Sequence, residues 1–395
     1  MSLALGPDLL TASESLDDDT VELRRAIHQD PELGLQLPNT QQKILDAITG
    51  LGLDVTLGRE TTSVTADLDS GKPGPTILLR GDMDALPLQE DNDIPFKSKH
   101  DGRMHACGHD AHVSMLVSAA KLLADNRDSF NGRIRFMFQP GEEGHHGAKF
   151  MIEEGVLDGV DRAFAIHVFT PMPDGVIMTK GGSLMASADR FEITINGQGG
   201  HASAPHHCVD PIPAAAATIT GLHTLVSRGV DPVQAGLITV AHVEAGTTNN
   251  VIPPDAFMEG TIRTLDEDVR SDLHAGLIRV ADHTAKAHGC SCTSEIIPGY
   301  PVTVNHQAEA DLVGELARSV VGEEHFLEMP RAVLGAEDFS YVLQHVPGAM
   351  AFLGVCPPGV DYNHAAPNHS NLMQISEERL SHGVALYAAM ALHRN

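Results

Sequence analysis

Thr76-Ile77-Leu78-Leu79-Arg80-Gly81-Asp82-Met83-Asp84-Ala85-Leu86-Pro87 is the stretch that decides how this chain folds. Thr76–Leu79 is too short for a helix and reads as a strand of the buried kind found inside parallel sheets. Charged groups follow it at once. The arrangement recurs downstream, where Ile134, Phe136 and Phe138 alternate as a strand and lead into Gln139-Pro140-Gly141-Glu142-Glu143-Gly144. It recurs again at Ala163–Ile166, which ends on His167. Helical patterns precede and separate these strands. Thr20–Leu33 and Thr40–Leu51 are two of them, His112–Asp125 carries Met115, Leu116, Ala119, Ala120 and Leu123 on one face, and Ala148–Glu154 is a fourth. Strand–helix–strand repetition predicts an α/β fold, a mainly parallel sheet with helices on both faces. In such a sheet the strands end at a common carboxyl edge, where open α/β sheets bind ligands.

From about Ala188 the rhythm changes to strand, helix, two strands, helix, strand. The pieces are Phe191–Ile195, Ala214–Ser227, Gly236–Val243, Phe257–Thr264, Glu267–His288 and Thr293–Ile297. This βαββαβ order marks a small ferredoxin-like domain inserted into the first. The expected boundaries are 1–184 and 299–395 for a discontinuous first domain, with 185–298 inserted. A final helix is expected over Glu377–His393.

Bulk properties narrow the function. The 53 Asp and Glu against 26 Lys and Arg leave a net charge of −27, which repels phosphate backbones and anionic lipid. Nucleic acid and membrane are therefore excluded as partners. Met1–Asp19 has no basic residue and predicts no secretory signal. No stretch approaches the roughly 18 consecutive apolar residues of a spanning helix. The 5 cysteines, an odd number without framework spacing, read as a reduced, cytoplasmic set.

The chemistry lies at the strand ends and in His105-Ala106-Cys107-Gly108-His109-Asp110-Ala111-His112. Cys107, His109, Glu143 and His167 offer thiolate, imidazole, carboxylate and imidazole, a set that suits transition metals better than Mg or Ca. Two-residue spacing lets Cys107 and His109 point the same way only on a looped backbone. Of the adjacent pair Glu142 and Glu143, one carboxylate can hold metal while its neighbour serves as general base. No Ser/His/Asp arrangement, phosphate loop or dinucleotide fingerprint is present, since Gly197-Gln198-Gly199-Gly200 is too short and lacks the third glycine at the required offset.

Taken in order, Asp82–Pro87, Cys107-Gly108-His109-Asp110, Glu142-Glu143-Gly144, Gly200-His201-Ala202, Asn250-Val251-Ile252-Pro253, Glu337-Asp338-Phe339 and His369-Ser370 resemble the aminoacylase and carboxypeptidase G-like metallopeptidase family. The branch most resembled is the hippurate hydrolase and indoleacetyl-amino-acid hydrolase group, and the likeness runs from about Thr20 to the end. It implies a di-metal exopeptidase-like domain that binds two divalent ions (Mn, Zn, Co or Ni) through Cys107, His109, Glu143, His167 and His369, with Cys107 bridging. Glu142 would be the general base, and Asp84 would orient a ligand histidine. The inserted domain would be a lid through which a homodimer forms. His201, acting across that dimer, Asn250 and Arg263 would contact the scissile carbonyl or the substrate carboxylate. The implied reaction cuts N-acyl amino acids into a carboxylic acid and a free amino acid. Two departures stand out. His364 sits near His369 as a rival ligand, and His145-His146 replace the usual glycines after the Glu pair. The competing functions are a dipeptidase or aminopeptidase and a non-catalytic metal-binding relative, which would have no use for Glu142.

Overall fold

A computed structural model describes Gly6–His393; Arg394, Asn395 and the first part of the Met1–Asp19 segment, read above as free of a signal, lie outside the described residues. The chain forms two compact units. One runs up to Gly182 and takes in Val304–Arg331 and the chain from Asp338 on, and the other comprises Ser183–Thr303 and Ala332–Glu337. The sequence-based boundaries miss Ala332–Glu337. This segment joins the second unit because Val333 bridges Met185 and the Ala186 N–H faces the carbonyls of Val333 and Gly335.

In chain order the first unit holds α1 (Pro7–Glu14), α2 (Asp17–His28), α3 (Pro38–Ile48), β1 (Asp54–Leu57), β2 (Val64–Asp69), β3 (Thr76–Asp82), α4 (His109–Asp125), β4 (Arg133–Gln139), α5 (Gly147–Glu153), β5 (Arg162–Phe169) and β6 (Ile177–Thr179). After β7 (Gly182–Met185), the second unit holds β8 (Asp189–Asn196), β9 (Gly200–His201), α6 (Pro211–Gly229), β10 (Gly236–Glu244), β11 (Val251–Ile252), β12 (Asp255–Thr264), α7 (Glu267–Ala287) and β13 (Ser291–Pro298). The chain then passes through β14 (Thr303–Asn305) to α8 (Gln307–Val321), β15 (Phe326–Glu328), α9 (Ser340–Leu343), β16 (Gly348–Gly354) and α10 (Leu380–Leu392).

The large sheet has the order β1-β2-β4-β3-β5-β16-β6-β15. Its centre, β4-β3-β5-β16, is parallel throughout, as the apolar strand runs predicted. β1 and β2 add an antiparallel ribbon that the sequence reading did not contain. β1 is exposed along its whole length, so it carries no apolar signal. α10 is the opposite case: all its residues from Leu380 to Leu392 are buried and none is charged. It starts later than expected because the Glu377 carboxylate is engaged by Arg24 and Arg25.

The second unit is the expected βαββαβ domain, with an antiparallel sheet in the order β10-β12-β8-β13. Phe191, Ile193 and Ile195 of β8 are fully buried against Leu222 of α6 and Leu273 and Leu277 of α7. At the root of β8 sits the buried carboxylate of Asp189. It accepts from Arg270 Nε at 2.9 Å and Nη2 at 2.6 Å, from His274 Nε2 at 2.8 Å and from the Gly299 N–H at 3.0 Å. One side chain thus ties α7 and the exit of β13 to the start of β8. Burial would raise its pKa, but the bonds from Arg270 and His274 outweigh that and hold it well below the usual carboxylate range. Because the folded pKa is depressed, this contribution is present in full above the unfolded pKa near 3.9 and is lost as pH falls through the folded value. Asp189→Ala takes the buried carboxylate from Arg270 and His274, leaving Arg270 only Glu267 and the Gly299 carbonyl, and should cost about 3–5 kcal/mol by denaturant unfolding at neutral pH. A loss under about 1 kcal/mol would place the tie in the class of weak surface pairs.

Candidate metal centre

Because β3, β4 and β5 are parallel, Asp82, Gln139 and His167 leave the sheet at the same edge. α4 begins at that edge with His109, preceded by Gly108 in the left-handed region at φ 94°. A side chain at Gly108 would put its Cβ 2.2 Å from Val168 Cγ2, so only glycine lets Cys107 and His109 flank the turn.

Four segments bring their donor atoms together. Cys107 Sγ lies 3.4 Å from His167 Nε2 and 3.3 Å from His369 Nε2. His369 Nε2 is 3.2 Å from Glu143 Oε1, an ion-pair contact without hydrogen-bond geometry. The ligand atoms of Cys107, His109 and His167 lie within 4.8 Å of one another, as do those of Cys107, Glu143 and His369 and those of His109, Glu142 and Glu143. The tautomers follow from the partners. His109 Nδ1 donates to the Asp84 carbonyl at 2.8 Å and His167 Nδ1 to the Val168 carbonyl at 2.7 Å, so each ring, when neutral, presents its Nε2 lone pair. His109 Nε2 is buried with no hydrogen-bond partner.

The electrostatics fit a cation. Burial, then the Glu143 charge, push the Cys107 thiol up, while burial keeps His167 neutral by pushing it well below its ordinary value. The hydrogen bond with Cys107 and the Glu143 carboxylate beside it push His369 up to about 10. A metal ion in contact with the sulfur would remove the thiol proton and compete for the same lone pairs.

Asp84 organises the approach. Its two carboxylate oxygens accept the N–H groups of Glu142 at 2.9 Å and Glu143 at 3.0 Å, and its carbonyl holds His109. Its carboxylate comes only to 3.5 Å of His109 Nδ1, so the histidine is oriented by backbone and the side chain by contrast orients the Glu pair. Glu142 is buried, with Oε2 4.0 Å from His109 Nε2. His369 stands at φ 69°, an uncommon conformation for a residue with a side chain. His364, its rival, is exposed and pairs with Asp361 at 3.1 Å away from these donors. His145 is exposed with its ring against Gly34, and His146 Nδ1 is 3.0 Å from the Tyr341 hydroxyl.

The remaining predicted residues lie in the second unit. His201 on β9 is exposed, and its Nδ1 accepts from the Ser203 N–H at 3.1 Å, which leaves Nε2 as the donor. Asn250 adjoins it, its carbonyl accepting the Ala202 N–H at 3.1 Å. Arg263 on β12 is half-buried and takes part in no hydrogen bond or ion pair found among the described residues.

Sequence reading assigned no role to several supporting groups. Asn368 donates to the carbonyls of Cys107 at 3.0 Å and Val168 at 3.1 Å, joining the cysteine loop to β5. Asp82 is shared by Arg80 and by His112 Nδ1, and His112 Nε2 accepts the Val168 N–H at 2.8 Å. Arg80 and Gln139 both reach Asp338. Charged side chains on an otherwise buried strand, Arg80 and Asp82, were the available signal.

Comparison with known proteins agrees with this geometry. Residues 78–393 match the model of peptidase family M20/M25/M40. The chain belongs to that family. It is 40% identical to thermostable carboxypeptidase 2 of Saccharolobus solfataricus over 96% of each chain, and 38% identical to N-acetyl-L-cysteine deacetylase of Bacillus subtilis over 91% of this chain and 88% of that one. Among solved structures, the Bacillus subtilis YXEP protein, a dinuclear metal binding peptidase from the M20 family, superposes with a TM-score of 0.84 at 33% identity, covering 96% of this chain and 98% of its own. The family implied by the motifs and the enzyme class, a metal-dependent amidohydrolase, therefore both hold.

The double acceptance by Asp84 yields a sharp expectation. Asp84→Asn replaces one acceptor by a donor that faces the N–H of Glu142 or Glu143. Metal affinity or turnover should fall by roughly 10–100-fold, as for other groups that orient metal ligands. Wild-type values for both in isothermal titration and steady-state assays would show that the Glu pair does not depend on this contact.

Proposed function

We propose that this chain hydrolyses the amide bond of N-acyl amino acids, using two divalent ions held by Cys107, His109, Glu143, His167 and His369. The observation that carries the proposal is the buried, unpartnered His109 Nε2 facing Glu142 and Glu143 within a ring of soft and borderline donors. The donor set suits Mn, Zn, Co or Ni, and the Cys107 sulfur, within reach of both His167 and His369, would help to hold them. When bound, such ions lower the pKa of water and polarise a carbonyl. The chain's own part is proton management. Glu142 takes the proton of the attacking water and later delivers it to the departing amine nitrogen, while Asp84 keeps the two glutamates apart in role by fixing their backbones.

In the second unit, the Arg263 guanidinium makes no hydrogen bond or ion pair among the described residues, in a chain of net charge −27, and burial pushes its pKa down against the more distant pull of Asp189. A substrate carboxylate supplies the missing partner, which fits an acyl amino acid whose α-carboxylate is free. Asn250 and His201, joined through β9 and β11, supply amide and Nε2–H donors for the substrate. The same features also fit a carboxypeptidase or dipeptidase, the reading favoured by the carboxypeptidase relative. Rates on an N-acetyl amino acid and the matching dipeptide separate the two. A cytoplasmic setting is part of the proposal and rests on 5 free cysteines. Among the described residues no helix is long and apolar enough to cross a membrane.

Adjacent carboxylates should fail differently. Glu142→Gln should keep both ions by metal analysis yet lose roughly 10²–10⁴-fold in kcat. Glu143→Gln should shed metal. Equal metal loss in both would remove the base assignment, and activity in the wild-type protein stripped of metal would end the proposal.

We also propose a homodimer formed through the second unit, with His201 serving the partner subunit's reaction. His201→Ala should hold metal normally and lose on the order of 10²-fold in kcat, as for removal of an oxyanion donor. Mixing it with Glu142→Gln, each inactive alone, should restore partial activity through mixed dimers. No recovery after demonstrated subunit exchange would refute action in trans.

A further inference from the structure

A second buried polar cluster flanks the loop that carries Cys107 and His109. From α2, Arg24 Nε donates to Asp110 Oδ2 at 3.0 Å and Nη1 to Glu377 at 2.6 Å. His28 Nδ1 donates to the same Asp110 oxygen at 2.8 Å, and its Nε2 faces Glu90 Oε1 at 3.2 Å. Glu90 is held in turn by Asn92 Nδ2 at 3.1 Å and the Ser98 N–H at 2.7 Å. Against this dense pairing three buried atoms have no hydrogen-bond partner: Asp110 Oδ1 and both ring nitrogens of His105. His105 is 2% exposed and Asp110 fully buried. The His105 ring centroid lies 6.2 Å from that of His28, whose Nδ1 is bonded to Asp110.

An imidazole with both nitrogens unsatisfied in a dry protein interior is rare, because the lost hydration is not replaced. Packing explains neither nitrogen, since an apolar ring would fill the same space without the loss. Buried polar atoms that find no partner in the protein are commonly joined by ordered water. We propose that an internal water bridges a ring nitrogen of His105 to Asp110 Oδ1, making His105 a positioning residue that ties the Cys107–His109 loop to the Arg24–His28–Asp110 cluster. The water donates one hydrogen to the carboxylate and meets the imidazole with its other hydrogen or with its lone pair, so each group gains a partner and no charge is moved. The bridge closes across Cys107, Gly108 and His109. Gly108, at φ 94°, is the residue in that turn with the most conformational freedom to lose, so the clamp acts where it is needed. This inference rests on the reading of Cys107 and His109 as metal ligands, but the water itself does not.

A crystal structure that resolves ordered solvent should show a peak within hydrogen-bond distance of both His105 and Asp110 Oδ1; a dry cavity there would overturn the proposal. His105→Phe keeps the ring volume without the polar atoms and should weaken Mn(II) binding by about tenfold or more in calorimetric titration. His105→Asn and His105→Gln place a polar atom near the Nδ1 and Nε2 positions respectively. One of the two should restore affinity to within a few-fold of wild type, identifying the nitrogen that binds the water. A merely structural role predicts lowered unfolding midpoints in all three variants with no difference between Asn and Gln, and that pattern would refute positioning. So would wild-type Mn(II) affinity in His105→Phe. If the Phe variant does not fold, the Asn and Gln pair and the solvent density decide. A wild-type protein that binds no Mn(II), Zn(II), Co(II) or Ni(II) would sink the proposed function instead, and the solvent density would still decide whether the water is there.

Discussion

Asp84 is the constraint on which the site depends. One residue fixes three others: its carboxylate takes the N–H groups of Glu142 and Glu143, and its carbonyl takes the Nδ1 proton of His109. The consequence is chemical as well as geometric. A carbonyl can only accept, so Nδ1 carries a proton and Nε2 is the nitrogen left to meet a metal. Although burial opposes it, the Asp82 carboxylate 3.5 Å away raises the ring's pKa well above its ordinary value, yet Nε2 is buried without a hydrogen-bond partner among the described residues. That is an expensive state for a protein to maintain without a cation. Backbone N–H groups pinned on a single carboxylate leave the two glutamates little freedom to exchange positions, which allows neighbouring, identical side chains to do different work.

Around this centre the chain places buried charge freely. Arg80, Asp82, Asp338 and Gln139 form one group and Arg24, His28, Asp110 and Glu90 another. Buried pairs of this sort contribute little net stability over apolar packing, because desolvation offsets the attraction. Their value lies in direction. A hydrogen-bonded ion pair permits few geometries, and both groups abut residues that must be aimed: Asp82 contacts His112, which holds the Val168 N–H beside His167, and Asp110 begins α4 next to His109. The apolar core, including the entirely buried α10, supplies the stability that these networks do not.

The second unit divides its labour in the same way. Its core is made by alternating apolar positions and small helices, and Asp189 locks the frame. The groups proposed to meet substrate sit apart from that core. His201 has its donor nitrogen set by Ser203, and Arg263 has no partner among the described residues. A half-buried guanidinium without an ion pair is costly in the free protein and favourable once a carboxylate arrives, which is why the proposed substrate carries a free carboxylate.

Much of this was legible from residues alone. Apolar runs at Thr76–Leu79 and Ala163–Ile166 can only be buried strands, and polar groups placed just after them must share an edge if the strands are parallel. Hydrophobic alternation in Phe191–Ile195 and its helical neighbours made the inserted βαββαβ order readable. Spacing also separates Cys107 from His109 by the one glycine the turn requires. What the sequence could not decide were matters of distance and partner. Nothing in composition distinguishes His369 from His364, five residues away; only the fold puts one against Cys107 and the other in solvent beside Asp361. β1 was invisible because an exposed strand has no apolar period to read. The capture of Ala332–Glu337 by the second unit rests on a few backbone contacts of Val333 and Gly335 with Leu184–Ala186, far apart in sequence. Which nitrogen of His109 faces the site, and the holding of both glutamates by Asp84, depend on hydrogen bonds between segments separated by 25 to 59 positions. Periodicity and residue type reach only a few residues along the chain, whereas proton positions and ligand directions are fixed by contacts that exist only after the strands have been brought to a common edge.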